Sequence, residues 1–197
     1  MKAGNFSASS LPQAALLAAA LVAVVATLGV LYAAGAFAFQ DARQEEVAER
    51  GAEVMPFDLD ETTHVFEPTE TGGVQRVVAD DPTDEKQVAL IRGHLEEEAE
   101  AFRLGDLSDP AAIHGEDMPG LRELETGTER IEIRYSELSD GAQIEYETED
   151  PALASALHEW FDAQLSDHGG HAAEGGTDDS SGEGGDAMDH SQHQEHN

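Results

Sequence analysis

Between Lys2 and Asp41 the chain carries no charged residue, whereas all of its acidic residues come later. Within that uncharged segment, residues 14–39 (AALLAAALVAVVATLGVLYAAGAFAF) are apolar apart from Thr27, two glycines and Tyr32. Roughly 20 apolar residues suffice to cross the hydrocarbon core of a bilayer. Residues 1–40 therefore predict an N-terminal transmembrane helix acting as a signal anchor. Lys2 is the only basic residue near it and an acidic segment comes next, so the positive-inside rule puts the N-terminus in the cytoplasm. The expected location is the cell membrane, single-pass, with everything from Asp41 outside the cytoplasm. An alternative is secretion: Ala36-Phe37-Ala38 fits a small-x-small cleavage site, giving release near Ala38. A cleaved signal's apolar region usually runs about 7–15 residues, and the greater length here favours the uncleaved anchor.

Beyond the apolar segment the chain is acidic. Over 197 residues, 42 Asp and Glu face 10 Lys and Arg, for a formal net charge of -32, and there is no cysteine. Such a chain is repelled by phosphates and lacks the basic stripe that nucleic-acid binding requires. The absence of Cys removes disulfides, thiolate metal sites and Cys nucleophiles together. The length accommodates one ordinary domain with appendages. Residues 41–54 (DARQEEVAERGAEV) read as an acidic spacer beside the membrane. Residues 55–166 form the domain, and residues 167–197, rich in Gly, His and acids, offer almost nothing to bury and predict a disordered tail. The excess of surface carboxylates resembles that of proteins from salt-loving organisms, where it keeps a chain hydrated and dispersed.

Periodicity inside the domain points to an α+β fold. Ile131, Ile133 and Tyr135 alternate with Glu132 and Arg134, and Ile144 and Tyr146 alternate with Glu145 and Glu147, across the turn Leu138-Ser139-Asp140-Gly141. These are two half-buried strands of a hairpin. A weaker hairpin flanks Thr69-Glu70-Thr71-Gly72-Gly73. A helix is expected after each: Asp81-Pro82 supplies an N-cap and N1 proline before Val88, Ile91, Leu95, Ala99 and Phe102, and Asp150-Pro151 does so before Leu153, Leu157, Trp160, Phe161 and Gln164. The expected architecture is ββα twice, a four-stranded antiparallel sheet with two helices on one face, preceded by the transmembrane helix and followed by the disordered tail. Residues 105–127 belong to neither half and form an inserted loop, a place where function concentrates.

Several segments carry a resemblance. Met55-Pro56-Phe57-Asp58-Leu59, Thr62-Thr63-His64-Val65-Phe66, Gly72-Gly73-Val74-Gln75, Asp109-Pro110-Ala111-Ala112-Ile113-His114-Gly115, Asp117-Met118-Pro119-Gly120-Leu121 and Trp160-Phe161-Asp162-Ala163-Gln164-Leu165-Ser166-Asp167-His168-Gly169 resemble the signature of a family of short uncharacterised bacterial proteins. Members of that family often carry the label aspartate carbamoyltransferase. That label has no support in these residues. The Ser-Thr-Arg-Thr-Arg carbamoyl phosphate loop is absent, and the six Arg and one Lys of residues 55–166 are widely spaced among 29 acids, where anionic substrates would demand clustered cations.

Candidate chemistry therefore falls to histidine, the commonest ligand for zinc and copper where thiolates are missing. In the tail, His168 and His171 are followed by Met188 and by His190, His193 and His196 at three-residue spacing. A flexible strand of this kind wraps a borderline or soft cation without a preformed cage. In the domain, His64 alternates with Phe66, His94 and His158 flank the helical apolar stripes, and His114 lies in the inserted loop with Glu116, Asp117 and Met118. Folding of that loop over the sheet would let His64, His114 and Met118 converge with a helix histidine on one cation, although each imidazole also reads as a boundary residue that hydrogen-bonds locally. A His/Met set favours copper and a His/carboxylate set zinc; no nucleotide cofactor is expected. The leading functional expectation is a membrane-anchored, extracytoplasmic module that binds copper or zinc and hands it to a neighbouring membrane or secreted protein. The alternative is a small enzyme at the HGEDM loop, with His114 as acid/base and Glu116 or Asp117 as its orienting carboxylate.

Overall fold

The computed structural model describes residues 13–175, with side chains from Val30 onward and at Thr27. It opens on one uninterrupted helix, α1 (Gln13–Val54, 42 residues). The expected membrane anchor is overturned: among the described residues no helix is long and apolar enough to cross a membrane. The apolar segment is not a separate element but runs directly into the charged turns from Asp41 onward. The signal-anchor assignment, the single-pass topology and the cell-membrane location rested on that anchor and fall with it. The cleavage site of the secretion alternative, residues 36–38, lies inside the same continuous helix.

The last turns of α1 are held against the domain. Val47 is buried, and Gln40 and Gln44 donate to Ser166 while Arg43 and Arg50 reach the carbonyls of His114 and Ile113.

Strands β1 (Thr62–Thr69) and β2 (Gly72–Ala79) form the first hairpin, β3 (Ile131–Glu137) and β4 (Gly141–Thr148) the second. They join through an antiparallel β2–β4 pairing centred on Gln75 opposite Ile144. Alternate residues Phe66, Val77, Ile133, Ile144 and Tyr146 point to the buried face. The other face carries charged pairs such as Arg76–Glu67 at 2.6 Å and Arg134–Glu147 at 2.9 Å. Helix α2 (Glu85–Arg103) lies over β3 and β4, and α5 (Pro151–His168) over β1 and β2. Two short helices, α3 (Ser108–His114) and α4 (Leu121–Gly127), fill the 105–127 segment; α3 packs on α1 and α4 on α5. Trp160, Phe161 and Leu157 of α5 meet Ile91, Leu95 and Phe102 of α2 in the common core.

The expected four-stranded sheet with two helices is corrected on two further counts. Among the described residues there are five α-helices, and the sheet is five-stranded and mixed, in the order β3-β4-β2-β1-β5. The added strand β5 (Ala172–Glu174) pairs in parallel with β1, His64 opposite Ala172. It comes from the segment expected to be disordered, and it is held by backbone bonds, including Gly175 N–H to Phe66 C=O at 2.9 Å, rather than by any hydrophobic pattern. The cap of α2 also moves. Asp81 accepts from the amide and hydroxyl of Thr83, closing a local turn, and Asp84 becomes the N-cap, accepting from the amides of Lys86 and Gln87. Asp150 caps α5 with Pro151 at its start.

Candidate functional site

Four imidazoles meet at one end of the core. His64 projects inward from β1 because it shares the face of Phe66; α2 brings His94, the last residue of α3 brings His114, and the last residue of α5 brings His168. All four are buried. The rings of His64 and His168 stack with centroids 4.9 Å apart and planes 7° apart, and His114 meets His168 edge-on at 5.0 Å. Phe57 separates His94 from His64, at 5.7 Å and 6.0 Å from the two rings. The rings surround a cavity of about 20 Å³ whose wall also includes Met55, Glu98, Trp160 and Gln164. That volume admits about one water-sized guest.

Hydrogen bonding fixes which nitrogens are free. His114 Nδ1 lies 2.9 Å from Asp167 Oδ2, and Arg43 binds the same carboxylate at 2.6 Å. The carboxylate accepts from Nδ1–H and fixes the ring's orientation, leaving Nε2 out of that bond. His168 Nε2 lies 3.2 Å from Gln164 Oε1 and donates to it, leaving Nδ1. Among the described residues, His64 Nδ1, His94 Nε2 and Trp160 Nε1 are buried without a hydrogen-bond partner. An unpartnered buried polar atom costs about 1–3 kcal/mol, and all three belong to residues of the cavity wall. Burial, reinforced by the other imidazoles, pushes His64 down to about 4 and His168 well below its ordinary value. Burial also lowers His94, against the opposing pull of Asp109 and Glu97. These rings are therefore uncharged at neutral pH and present lone pairs rather than positive charge. Glu98, on the same wall, is lifted by burial and by Asp109 to about 8.

The remaining expected site residues are elsewhere. Glu116 and Asp117 are exposed, and the carboxylate bonded to His114 is Asp167. Met118 is buried but lines an outer pocket of about 530 Å³ with Arg43, Glu116 and Asp167; the thioether on the chamber wall is Met55. His171 faces Asp60 at 3.7 Å near the surface. His158 lies 2.9 Å and 3.0 Å from the carbonyls of Thr69 and Gly72 and closes the first hairpin. Met188, His190, His193 and His196 lie outside the described residues. Sequence reasoning missed Glu98 as a wall residue and Asp167 and Arg43 as the support of His114. Glu98 had a readable signal, since it falls on the Ile91-Leu95-Phe102 stripe at helical spacing.

Among the described residues, no three His, Cys, Asp or Glu side chains are placed to hold a metal ion. The geometry explains this. Parallel rings have parallel lone-pair planes, so His64 and His168 cannot both direct a nitrogen at one point until one ring turns. Compared with known families, with characterised proteins and with solved structures, the chain has no match.

Proposed function

We propose that this protein is a binding module for one transition-metal cation, seated among the imidazoles of His64, His114 and His168. The observation that carries the reading is the convergence of three buried imidazoles around a cavity of about 20 Å³, with His64 and His168 uncharged at neutral pH and His64 Nδ1 without a hydrogen-bond partner. A single ion with its coordinating nitrogens suits that volume, whereas an organic substrate does not. Nitrogen ligands favour zinc or copper over hard cations, and the thioether of Met55 in the wall tilts the set toward copper. Asp167 holds His114 as carboxylates hold metal-binding imidazoles, fixing the orientation of the ring. Binding turns one ring of the stacked pair and releases His64 Nδ1 from its unpartnered state. The tail residues Met188, His190, His193 and His196, together with His171 at the surface, serve as a weaker, exchangeable set.

Trp160, the chain's single tryptophan, lines the chamber, so its fluorescence reports on a quenching ion there. In the full chain with His190, His193 and His196 replaced by Ala, Cu(II) titration is expected to quench Trp160 with one equivalent. Adding His64→Leu and His168→Leu should abolish that equivalent while circular dichroism stays unchanged. Quenching that survives the two chamber substitutions, or an absence of any bound Cu(II), Cu(I) or Zn(II), overturns the reading.

A further inference from the structure

A second pocket, of about 180 Å³, opens on the outer side of α2 and is lined by His94, Glu97, Glu98, Asp106, Ser108 and Asp109 among others. It shares His94, Glu98 and Phe102 with the wall of the buried chamber. The lining holds the carboxylates of Glu97, Asp106 and Asp109 and the neutral acid Glu98, and no Lys or Arg. Asp106 is committed locally, its Oδ1 accepting from the Ser108 amide at 3.0 Å. His94 and Glu98 are each 8% exposed, and their nearest approach, His94 Nε2 to Glu98 Oε1, is 3.6 Å, too long for a hydrogen bond. His94 Nε2 is thus unpartnered and forms part of the partition between the two spaces.

The chamber's other outward side is built differently. Past His114, the outer pocket is backed by Arg43, and the His114–Asp167 contact at 2.9 Å and the Arg43–Asp167 pair at 2.6 Å close it. A cation arriving there meets Glu116 and Asp117 at the mouth, but the inner carboxylate, Asp167, is held by Arg43 and His114, so passage must break two charge-assisted bonds. On the α2 side it meets carboxylates and a partition with no hydrogen bond across it.

We infer that the acidic pocket beside α2 is the port by which a transition-metal cation reaches the buried imidazoles, with Glu97 and Asp109 capturing it and the unbonded His94–Glu98 pair as the gate. This rests on the chamber being a cation site. Passage takes the ion from oxygen ligands at the mouth, past His94 Nε2, to the nitrogen set within, so its ligands soften along the path. Clustered charge of one sign at a cleft raises the local concentration and arrival rate of an opposite charge, and salt screens the effect. A port lowers the barrier in both directions, so its loss slows loading and release together.

The test is stopped-flow Cu(II) quenching of Trp160 in the full chain lacking His190, His193 and His196. Glu97→Gln with Asp109→Asn should slow loading about fivefold at low salt, an effect that shrinks at high salt, and should slow release while one equivalent is still bound. Glu70→Gln with Glu159→Gln, the same charge change at exposed positions elsewhere, should leave both rates unchanged. Equal rates in the two double variants, with one equivalent still bound, overturn the port and leave the chamber standing. An absence of chamber quenching in the unsubstituted background overturns both.

Discussion

Asp167 joins three elements through one side chain, accepting from Arg43 of α1 and from His114 of α3 while standing on α5. Burial works to raise its carboxyl, but the bonds from His114 and Arg43 outweigh burial and hold it at about 2. A folded-state value below the ordinary 3.8 means that the charged form is favoured by folding. The stability is present above about pH 4 and is lost as pH falls through about 2. Asp167→Asn is expected to cost about 2 kcal/mol at pH 7, with urea midpoints of variant and parent converging toward pH 2; a gap that stays constant with pH refutes the ion-pair account. Glu98 has the opposite sign. Its carboxyl is lifted to about 8, so the neutral form is favoured, and the benefit is complete below about pH 4.5 and lost as pH rises through about 8. Glu98→Gln should therefore gain in melting temperature over the parent between pH 5 and pH 9, and an unchanged difference across that range would exclude a buried acid. Sequence legibility at this scale depends on the environment. His64 was readable because a strand alternates strictly and Phe66 fixed its face. Asp167 was not, and His168 reads as a ligand of the tail rather than of the core, because Gly169-Gly170 and the acidic stretch beyond look like the start of a tail, although His168 extends the Trp160-Phe161-Gln164 stripe by one turn.

Elements were legible where local chemistry alone decides them. The turn at Ser139-Asp140-Gly141, the Asp150-Pro151 helix start and the alternation in β3 and β4 are each set by a few neighbouring residues. Elements fixed by partners were not. Strand β5 exists because β1 offers it an edge, and the charged turns of α1 belong to the domain because Arg43, Gln44 and Arg50 find carbonyls and a carboxylate 63 or more residues away. The start of α4 shows how tightly the inserted segment is seated. Gly120 has φ +76°, and a Cβ there would come within 2.1 Å of the Ala156 carbonyl oxygen on α5. Backbone strain and a clash with a rigid helix act together, so Gly120→Ala is expected to cost about 3 kcal/mol. Gly93→Ala, in a helix and with no atom within 4 Å of its added Cβ, should be neutral or gain up to about 1 kcal/mol. Comparable denaturation midpoints for the two variants would contradict the close α4–α5 approach.

At the scale of the whole molecule, the net charge of -32 opposes compaction at every pH where the surface carboxylates are ionised. The attractive pairs that offset it are few and specific. Arg43–Asp167 and Arg76–Glu67 are partly buried, whereas Arg134 draws Glu132, Glu145 and Glu147 together on the open face of the sheet. Salt acts unequally on the two sets. Raising ionic strength from about 0.01 M to about 1 M shortens the screening length from about 30 Å to about 3 Å. That removes repulsion spread over the surface while leaving contacts of 2.6 Å between partly buried groups largely intact. The diffuse repulsion among many acids outweighs the exposed Arg134 pairs, each worth about 1 kcal/mol or less, so salt should stabilise this chain. A gain on the order of 1 kcal/mol corresponds to about 2–4 °C in a chain of this length. Calorimetry in rising NaCl, run beside an uncharged solute at equal osmolarity, separates screening from exclusion. A melting temperature that climbs further in NaCl than in the uncharged solute is the expected result, and one that falls with NaCl would mean that ion pairs rather than burial hold the fold.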